Sequence, residues 1–107
     1  MIEVIARLSE ESGIRVATVG HAGDGNLHPA LILDRLDDDT QRRAFDLAER
    51  IGAAAVGLGG TVTGEHGVGL LKREWVRAQL GRTSIDVHAR IKAALDPAGI
   101  LNPDRAF

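Results

Sequence analysis

The sequence predicts an α+β fold: a short antiparallel sheet with helices packed on one face. Residues 14–20 are rich in β-branched side chains and residues 27–33 are apolar, which predicts two strands around a glycine-rich turn. Residues 40–58 carry apolar side chains at helical spacing, which predicts a long helix. The members of this stripe, interpreted as core, are Ala44, Phe45, Leu47, Ala48, Ile51, Ala54, Ala55 and Leu58.

A helix is predicted before the first strand. Ile2, Ile5 and Leu8 fall on one face of residues 2–12, and Gly13 is a typical helix terminator. The helix lacks a clear N-cap, so we expect further chain before Met1. Pro29 has no amide donor and places the second strand at a sheet edge or makes it begin after the proline.

Caps and terminators predict the remaining helix bounds. Asp38 or Asp39 is expected to cap the long helix. A further helix is expected over 70–80, and a last helix from Thr83 or Ser84 to residue 95. The side chains expected to face inward on these two helices are Leu71, Trp75, Ala78, Ile85, Ile91 and Leu95. The following Asp-Pro-Ala-Gly sequence is expected to break the helix.

Composition limits the classes of function. The 107 residues make one domain at most. A net charge of −2, 3% aromatic residues and no basic stripe argue against a nucleic-acid partner. The absence of cysteine excludes disulfides and thiolate sites and fits a reducing compartment, so we expect a cytoplasmic location. The sequence contains neither a signal-peptide pattern at Met1 nor an apolar run approaching the roughly 20 residues of a membrane span.

Two histidines flank the turn between the predicted strands. If residues 22–27 form the loop, His21 and His28 face each other directly, with Cβ atoms roughly 4.5–5.5 Å apart. Their imidazole nitrogens could then converge on one cation. The alternative is a glycine loop with two exposed histidines.

A second glycine-rich stretch, residues 59–69, contains Glu65 and His66. Two histidines and a glutamate are a usual ligand set for a divalent transition metal with an open position, and a further histidine beside such a site could move protons. Alternatively, Glu65 begins a helix and His66 is merely exposed. We interpret His88 as a surface or packing residue.

Three motifs occur in order: GHAGDGNLH over 20–28, GTVTGEHGVG over 60–69 and IKAALDPAGILNP over 91–103. Together they resemble the C-terminal part of the FAD-linked oxidases, a family of the vanillyl-alcohol-oxidase type. It includes the glycolate oxidase FAD subunit, D-lactate dehydrogenase and D-2-hydroxyglutarate dehydrogenase. The resemblance covers nearly the whole chain. It implies that residues 1–107 are a fragment of a ferredoxin-like cap domain, the substrate-side domain, with the FAD-binding domain absent.

The resemblance also implies residue roles in the oxidation of a small 2-hydroxy acid. His21, His28 and Glu65 match the ligands of a divalent metal, zinc or manganese, which would hold the substrate. His66 matches the catalytic base. Asn102 lies in the segment that packs towards the flavin domain and is a candidate on the cofactor side. The full enzyme could lie against the inner membrane.

Ala30 departs from the family pattern. The hydroxyglutarate enzymes have a substrate-binding asparagine at this position, so Ala30 favours glycolate or lactate. We expect the isolated chain to be inactive because it lacks the flavin domain. A stand-alone metal-binding or dimerisation module, forming a homo-oligomer, is the alternative. A metallohydrolase is a third hypothesis, which the lack of a second acidic cluster disfavours.

Overall fold

The computed structural model describes residues 1–106. Over these residues it contains an antiparallel two-stranded sheet and four α-helices, which confirms the predicted α+β class. The elements are α1 Ile2–Ser12, β1 Arg15–His21, β2 Asn26–Ile32, α2 Asp38–Gly57, α3 Arg73–Gln79 and α4 Arg82–Leu95. The chain divides into two compact units, an N-terminal unit, Met1–Gly60, and a C-terminal unit from Thr61 onward.

Helices α1 and α2 cover one face of the hairpin in the N-terminal unit. Its buried cluster consists of Ile5, Leu8, Ile14, Leu47 and Ile51. Ile2, predicted on the same face of α1, is 65% exposed at the first position of the helix. Val16 and Leu31, paired across the strands, pack against this cluster. Leu47 is fully buried, and burial of a leucine side chain contributes about 1.5–3 kcal/mol. The apolar periodicity of the first half of the chain therefore builds one continuous core.

The predicted hairpin loop was two residues too long. The register pairs Val19 with His28 and His21 with Asn26, so the turn comprises only residues 22–25. The Gly25 N–H donates to the His21 carbonyl at 2.9 Å, and Asp24 Oδ1 accepts from the Asn26 N–H at 3.1 Å. These bonds close a tight turn, so that β2 already begins at Asn26. The two histidines are therefore diagonal neighbours rather than a directly opposed pair.

The ends of the first two helices depend on local hydrogen bonds. Helix α1 ends as predicted at Gly13, which has a left-handed φ of 68°. The cap of α2 is Asp37, whose carboxylate accepts from the Thr40 N–H at 2.8 Å, and not Asp38 or Asp39 as predicted. Pro29 lies within β2, which begins before it; β2 is an edge strand of the two-stranded sheet, as the first of the two expectations had it.

Two members of the predicted α2 core stripe lie on the surface. Phe45 is 52% exposed and Leu58 is 63% exposed. Leu47 and Ile51, by contrast, belong to the buried cluster with Ile5 and Leu8 of α1. Phe45 lies two residues from Leu47 along the helix, about 200° around it, and so falls on the other side.

The C-terminal unit departs further from prediction. Helix α3 begins at Arg73 rather than 70, because residues 61–68 are irregular and residues 69–72 form turns. Its buried side chain is Val76, whereas the predicted inward residue Leu71 is 47% exposed. Helix α4 begins after Gly81, and neither Thr83 nor Ser84 caps it through its side chain. Its predicted inward residues Ile91 and Leu95 are 54% and 76% exposed.

In the described part of the chain, no helix is both long enough and apolar enough to span a membrane.

Candidate metal centre

The two hairpin histidines meet on the sheet face turned away from α1 and α2. His21 ends β1, and His28 is the third residue of β2, two positions beyond the cross-strand partner of His21. Such diagonal neighbours are within reach when the side chains are long. The two Nε2 atoms are 3.5 Å apart, and the rings meet edge to face with centroids 5.1 Å apart.

This separation suits a shared cation. Two nitrogens bound tetrahedrally at about 2.0–2.1 Å lie about 3.3–3.4 Å from each other. The observed 3.5 Å between the Nε2 atoms requires only a small adjustment to reach that value. The side chain of His21 is about half exposed and His28 is half-buried, which leaves the pair accessible to an ion. The donor set therefore fits two ligands of one zinc-like metal.

Gly20 is required for this geometry. A Cβ atom at position 20 would lie 2.5 Å from the Asn26 carbonyl oxygen and 2.8 Å from Leu27 Cδ2. Any side chain there would push the strands apart next to His21. The glycine thus allows the close strand pairing that brings the imidazoles together.

Asp24 contacts both the turn and His21. Its Oδ1 accepts from the Asn26 N–H, and its Oδ2 lies 3.6 Å from His21 Nδ1. The hydrogen bond from Asn26, followed by the neighbouring His21, holds the pKa of Asp24 below its usual range. Asp24 therefore shapes the turn with one carboxylate oxygen and lies beside His21 with the other.

Glu65 and His66 lie together in the C-terminal unit. His66 Nε2 is 3.3 Å from Glu65 Oε1, and both side chains are accessible. Helix α3 starts only at Arg73, so the alternative in which Glu65 begins a helix is wrong. Both residues are on a turn-rich loop, which is a common setting for binding and catalytic residues.

Side chains within the C-terminal unit hold this loop. The Thr63 hydroxyl donates to the Gly67 carbonyl at 2.8 Å, which bridges the segment that carries Glu65 and His66. Gln79 Oε1 accepts from the Thr61 hydroxyl and from the Val62 N–H, each at 3.2 Å. The sequence analysis missed Gln79, because a polar side chain near a helix end gives no sign of its distant partners.

The other candidates lie elsewhere in the C-terminal unit. Asn102 has a left-handed φ of 46° and lines a pocket of about 330 Å³ with Lys92, Leu101, Arg105 and Ala106. His88 is exposed on α4, with Nδ1 2.7 Å from the Ser84 carbonyl oxygen, in agreement with its interpretation as a surface residue.

The chain matches the family described as "FAD linked oxidases, C-terminal domain" over residues 1–106. It is 41% identical to the glycolate oxidase subunit GlcD of Bacillus subtilis (strain 168) over 107 residues, all of this chain and 23% of that protein. It is 42% identical to GlcD of Escherichia coli (strain K12) over 98% of this chain and 21% of that protein.

Another relative is the mitochondrial D-lactate dehydrogenase [cytochrome] of Kluyveromyces lactis, 40% identical over 98% of this chain and 18% of that protein. The chain thus spans about a fifth of the length of these relatives. The matched family, the three motifs and the α+β fold agree. The chain belongs to the family of C-terminal domains of FAD-linked oxidases.

Proposed function

We propose that this chain is the substrate-side, C-terminal portion of an FAD-dependent oxidoreductase that oxidises a small 2-hydroxy acid of the glycolate or D-lactate type. The observation that carries the proposal is the His21–His28 pair, with Nε2 atoms 3.5 Å apart on an accessible sheet face. The names of the relatives, glycolate oxidase subunit and D-lactate dehydrogenase, support this class of substrate.

The proposed metal ligands are His21, His28 and Glu65, the set that the motif resemblance implies. Two imidazoles and one carboxylate form a ligand set that leaves positions open for substrate oxygens. Bound zinc or manganese would supply Lewis-acid polarisation of the substrate hydroxyl and carboxylate. The contribution of the chain is to orient the donor atoms and to leave one side of the site accessible to substrate.

His66 is the proposed general base. Its imidazole would take the proton of the substrate hydroxyl, a task suited to a side chain whose ordinary pKa is near neutrality. Glu65 Oε1 lies 3.3 Å from His66 Nε2, so the proposed base is next to a proposed metal ligand. FAD, when bound, supplies the acceptor for the hydride that leaves the substrate carbon. Asn102 remains the proposed contact on the cofactor side.

The surface beside the histidines suits a substrate with a small substituent. Ala30 follows His28 on the same face of β2 and pairs with Ala17 across the strands. These side chains offer methyl groups next to the proposed metal. A hydrogen or methyl substituent, as in glycolate or lactate, suits such a surface better than the second carboxylate of hydroxyglutarate.

Binding of glycolate to the metal-loaded chain tests this function. Glycolate has a hydroxyl and a carboxylate that can chelate one metal, whereas acetate has only the carboxylate. We expect the visible spectrum of the Co²⁺-loaded chain to change with glycolate or D-lactate at lower concentration than with acetate. The same chain should not turn over D-lactate with FAD and a dye acceptor. Equal responses to glycolate and acetate would contradict chelation, and robust turnover would contradict the fragment interpretation.

A second candidate function is a stand-alone metal-binding or dimerisation module. The observation in its favour is the exposed sheet face, on which Val19 is 69% and Ile32 is 42% exposed. Exposed apolar side chains on a short sheet favour self-association. Light scattering distinguishes the candidates, since a monomer at all concentrations would count against dimerisation.

A further inference from the structure

The hairpin turn contains a carboxylate, Asp24, beside the ring nitrogen of His21 that does not face His28. Asp24 Oδ2 lies 3.6 Å from Nδ1 of His21, and Nε2 of the same ring lies 3.5 Å from Nε2 of His28. The two nitrogens of His21 thus have different neighbours. Nδ1 is next to a negative charge, and Nε2 is next to the second imidazole.

A neutral imidazole carries one proton, which resides on one of these nitrogens. A carboxylate beside Nδ1 favours the tautomer with the proton on Nδ1, because that N–H points towards the negative charge. The lone pair then remains on Nε2, the atom that faces His28. This is the form of His21 that can bind a cation between the two rings.

The turn fixes the position of the carboxylate. Oδ1 of Asp24 accepts the Asn26 N–H at 3.1 Å, so the side chain is anchored to the backbone two residues on. The Gly25 N–H donates to the His21 carbonyl at 2.9 Å and closes the same turn. Oδ2 is therefore left on the His21 side. One carboxylate can shape the turn with one oxygen and orient the imidazole with the other.

We propose that Asp24 is a positioning residue for the metal centre, which holds His21 in the tautomer that presents Nε2 to the cation. The proposal rests on the proposed function for the identity of the site, but the tautomer itself can be measured without metal. Asp24 is not proposed to touch substrate or metal. Its effect acts through His21.

The test compares the chain with its Asp24→Asn and Asp34→Asn variants. Asparagine keeps the size of Asp24 and an oxygen for the turn, but its amide NH₂ group cannot accept a hydrogen bond from Nδ1–H. Asp34 is a matched control, since it is an exposed carboxylate at the opposite end of the hairpin, paired with Arg15. Long-range ¹H–¹⁵N spectra of the metal-free chain in alkaline buffer report the tautomer of His21. Calorimetric titration with Zn²⁺ reports affinity.

In the wild-type chain we expect His21 to carry its proton on Nδ1. Asp24→Asn should shift the population towards the proton on Nε2 and weaken zinc binding about 10- to 100-fold. Asp34→Asn should leave both readouts unchanged. An unchanged His21 tautomer in Asp24→Asn, with cross-strand contacts intact, would overturn the proposal. If the wild-type chain binds no zinc, the proposed function fails, and the tautomer result alone decides the role of Asp24.

Discussion

At the residue scale, one buried carboxylate holds the segment after α4. Asp96 is 7% exposed and accepts hydrogen bonds from the Ile100 and Leu101 N–H groups, each at 3.0 Å, and from Lys92 Nζ. Lys92 also donates to the Leu101 carbonyl. From the sequence, Asp96 was only part of a helix-breaking motif. Its contacts show that it fastens the backbone of the following turn to the helix.

The acid stability of the C-terminal unit is expected to depend on Asp96. The hydrogen bond from Lys92, the largest cause, lowers its pKa below the ordinary value of 3.8. A group whose pKa is lowered by folding contributes stability above its unfolded pKa and loses it as the pH falls through the folded value. Asp96→Asn should therefore lower the melting temperature at neutral pH. The difference in melting temperature between the variant and the wild-type chain should shrink when the pH falls below the ordinary pKa of an aspartate.

Thermal unfolding followed by circular dichroism across this pH range provides the measurement. Asp86→Asn is the control, because Asp86 is an exposed carboxylate on α4, the helix that ends just before Asp96. If Asp96→Asn had the same melting temperature as the wild-type chain at neutral pH, the proposed stabilising role of Asp96 would be refuted.

At the element scale, the hairpin depends on a close approach between its strands. The hypothetical Cβ of Gly20 would lie 2.5 Å from backbone and 2.8 Å from a side chain of the facing strand, whereas a Cβ at Gly23 would meet nothing within 4 Å. Two glycines of one hairpin therefore have different tolerances for alanine. Substitution of Gly20 is limited by the facing strand, whereas Gly23 lies in an open turn.

Gly20→Ala should destabilise the chain by about 1–3 kcal/mol, the usual cost of overpacking, because the strands must separate at the histidine end. Gly23→Ala should be close to neutral and serves as the matched control. Chemical denaturation gives the two free energies, and amide exchange of the paired strand residues shows where the change lies. Equal free energies of unfolding for both variants would show that the close approach does not constrain the hairpin.

The sequence predicted which elements form better than how they pair. The β-branched run and the glycines predicted the hairpin, but its register depended on Asp24 accepting from the Asn26 N–H, which shortened the turn. Helical periodicity predicted α4 correctly as a helix. It also placed Ile91 and Leu95 inward, although both are exposed, since a stripe of apolar residues does not specify what covers it.

The candidate site was also predictable only in part, because local sequence patterns indicate residue types but not distant contacts. Residue chemistry and motif spacing indicated His21 and His28, which the structure brings together, and Glu65 with His66, which are adjacent in the chain. The supporting contact of Gln79 to the loop at Val62 spans 17 residues, and no local pattern encodes it.

At the scale of the whole molecule, the two units have unequal cores. Five apolar side chains form the buried cluster of the N-terminal unit. Among residues 1–106, the C-terminal unit buries only Val76 and Asp96. Local stability follows the burial of apolar side chains. The two units should therefore differ in resistance to opening.

We expect the backbone amides around Leu47 and Ile51 in α2 to exchange with solvent more slowly than those at the centre of α4. Native-state hydrogen exchange measured by NMR resolves both helices in one experiment, so α2 serves as the internal reference for α4. Protection of α4 equal to that of α2 would contradict the unequal cores.

We propose above all that the hairpin of this FAD-linked oxidase domain binds a metal. The most direct test of this claim is the zinc content and affinity of the purified chain, beside a His21→Ala/His28→Ala double variant and a His88→Ala control. We expect one zinc per chain, lost in the double variant and retained in His88→Ala. Absence of zinc from the wild-type chain, or equal binding by the double variant, would contradict the claim.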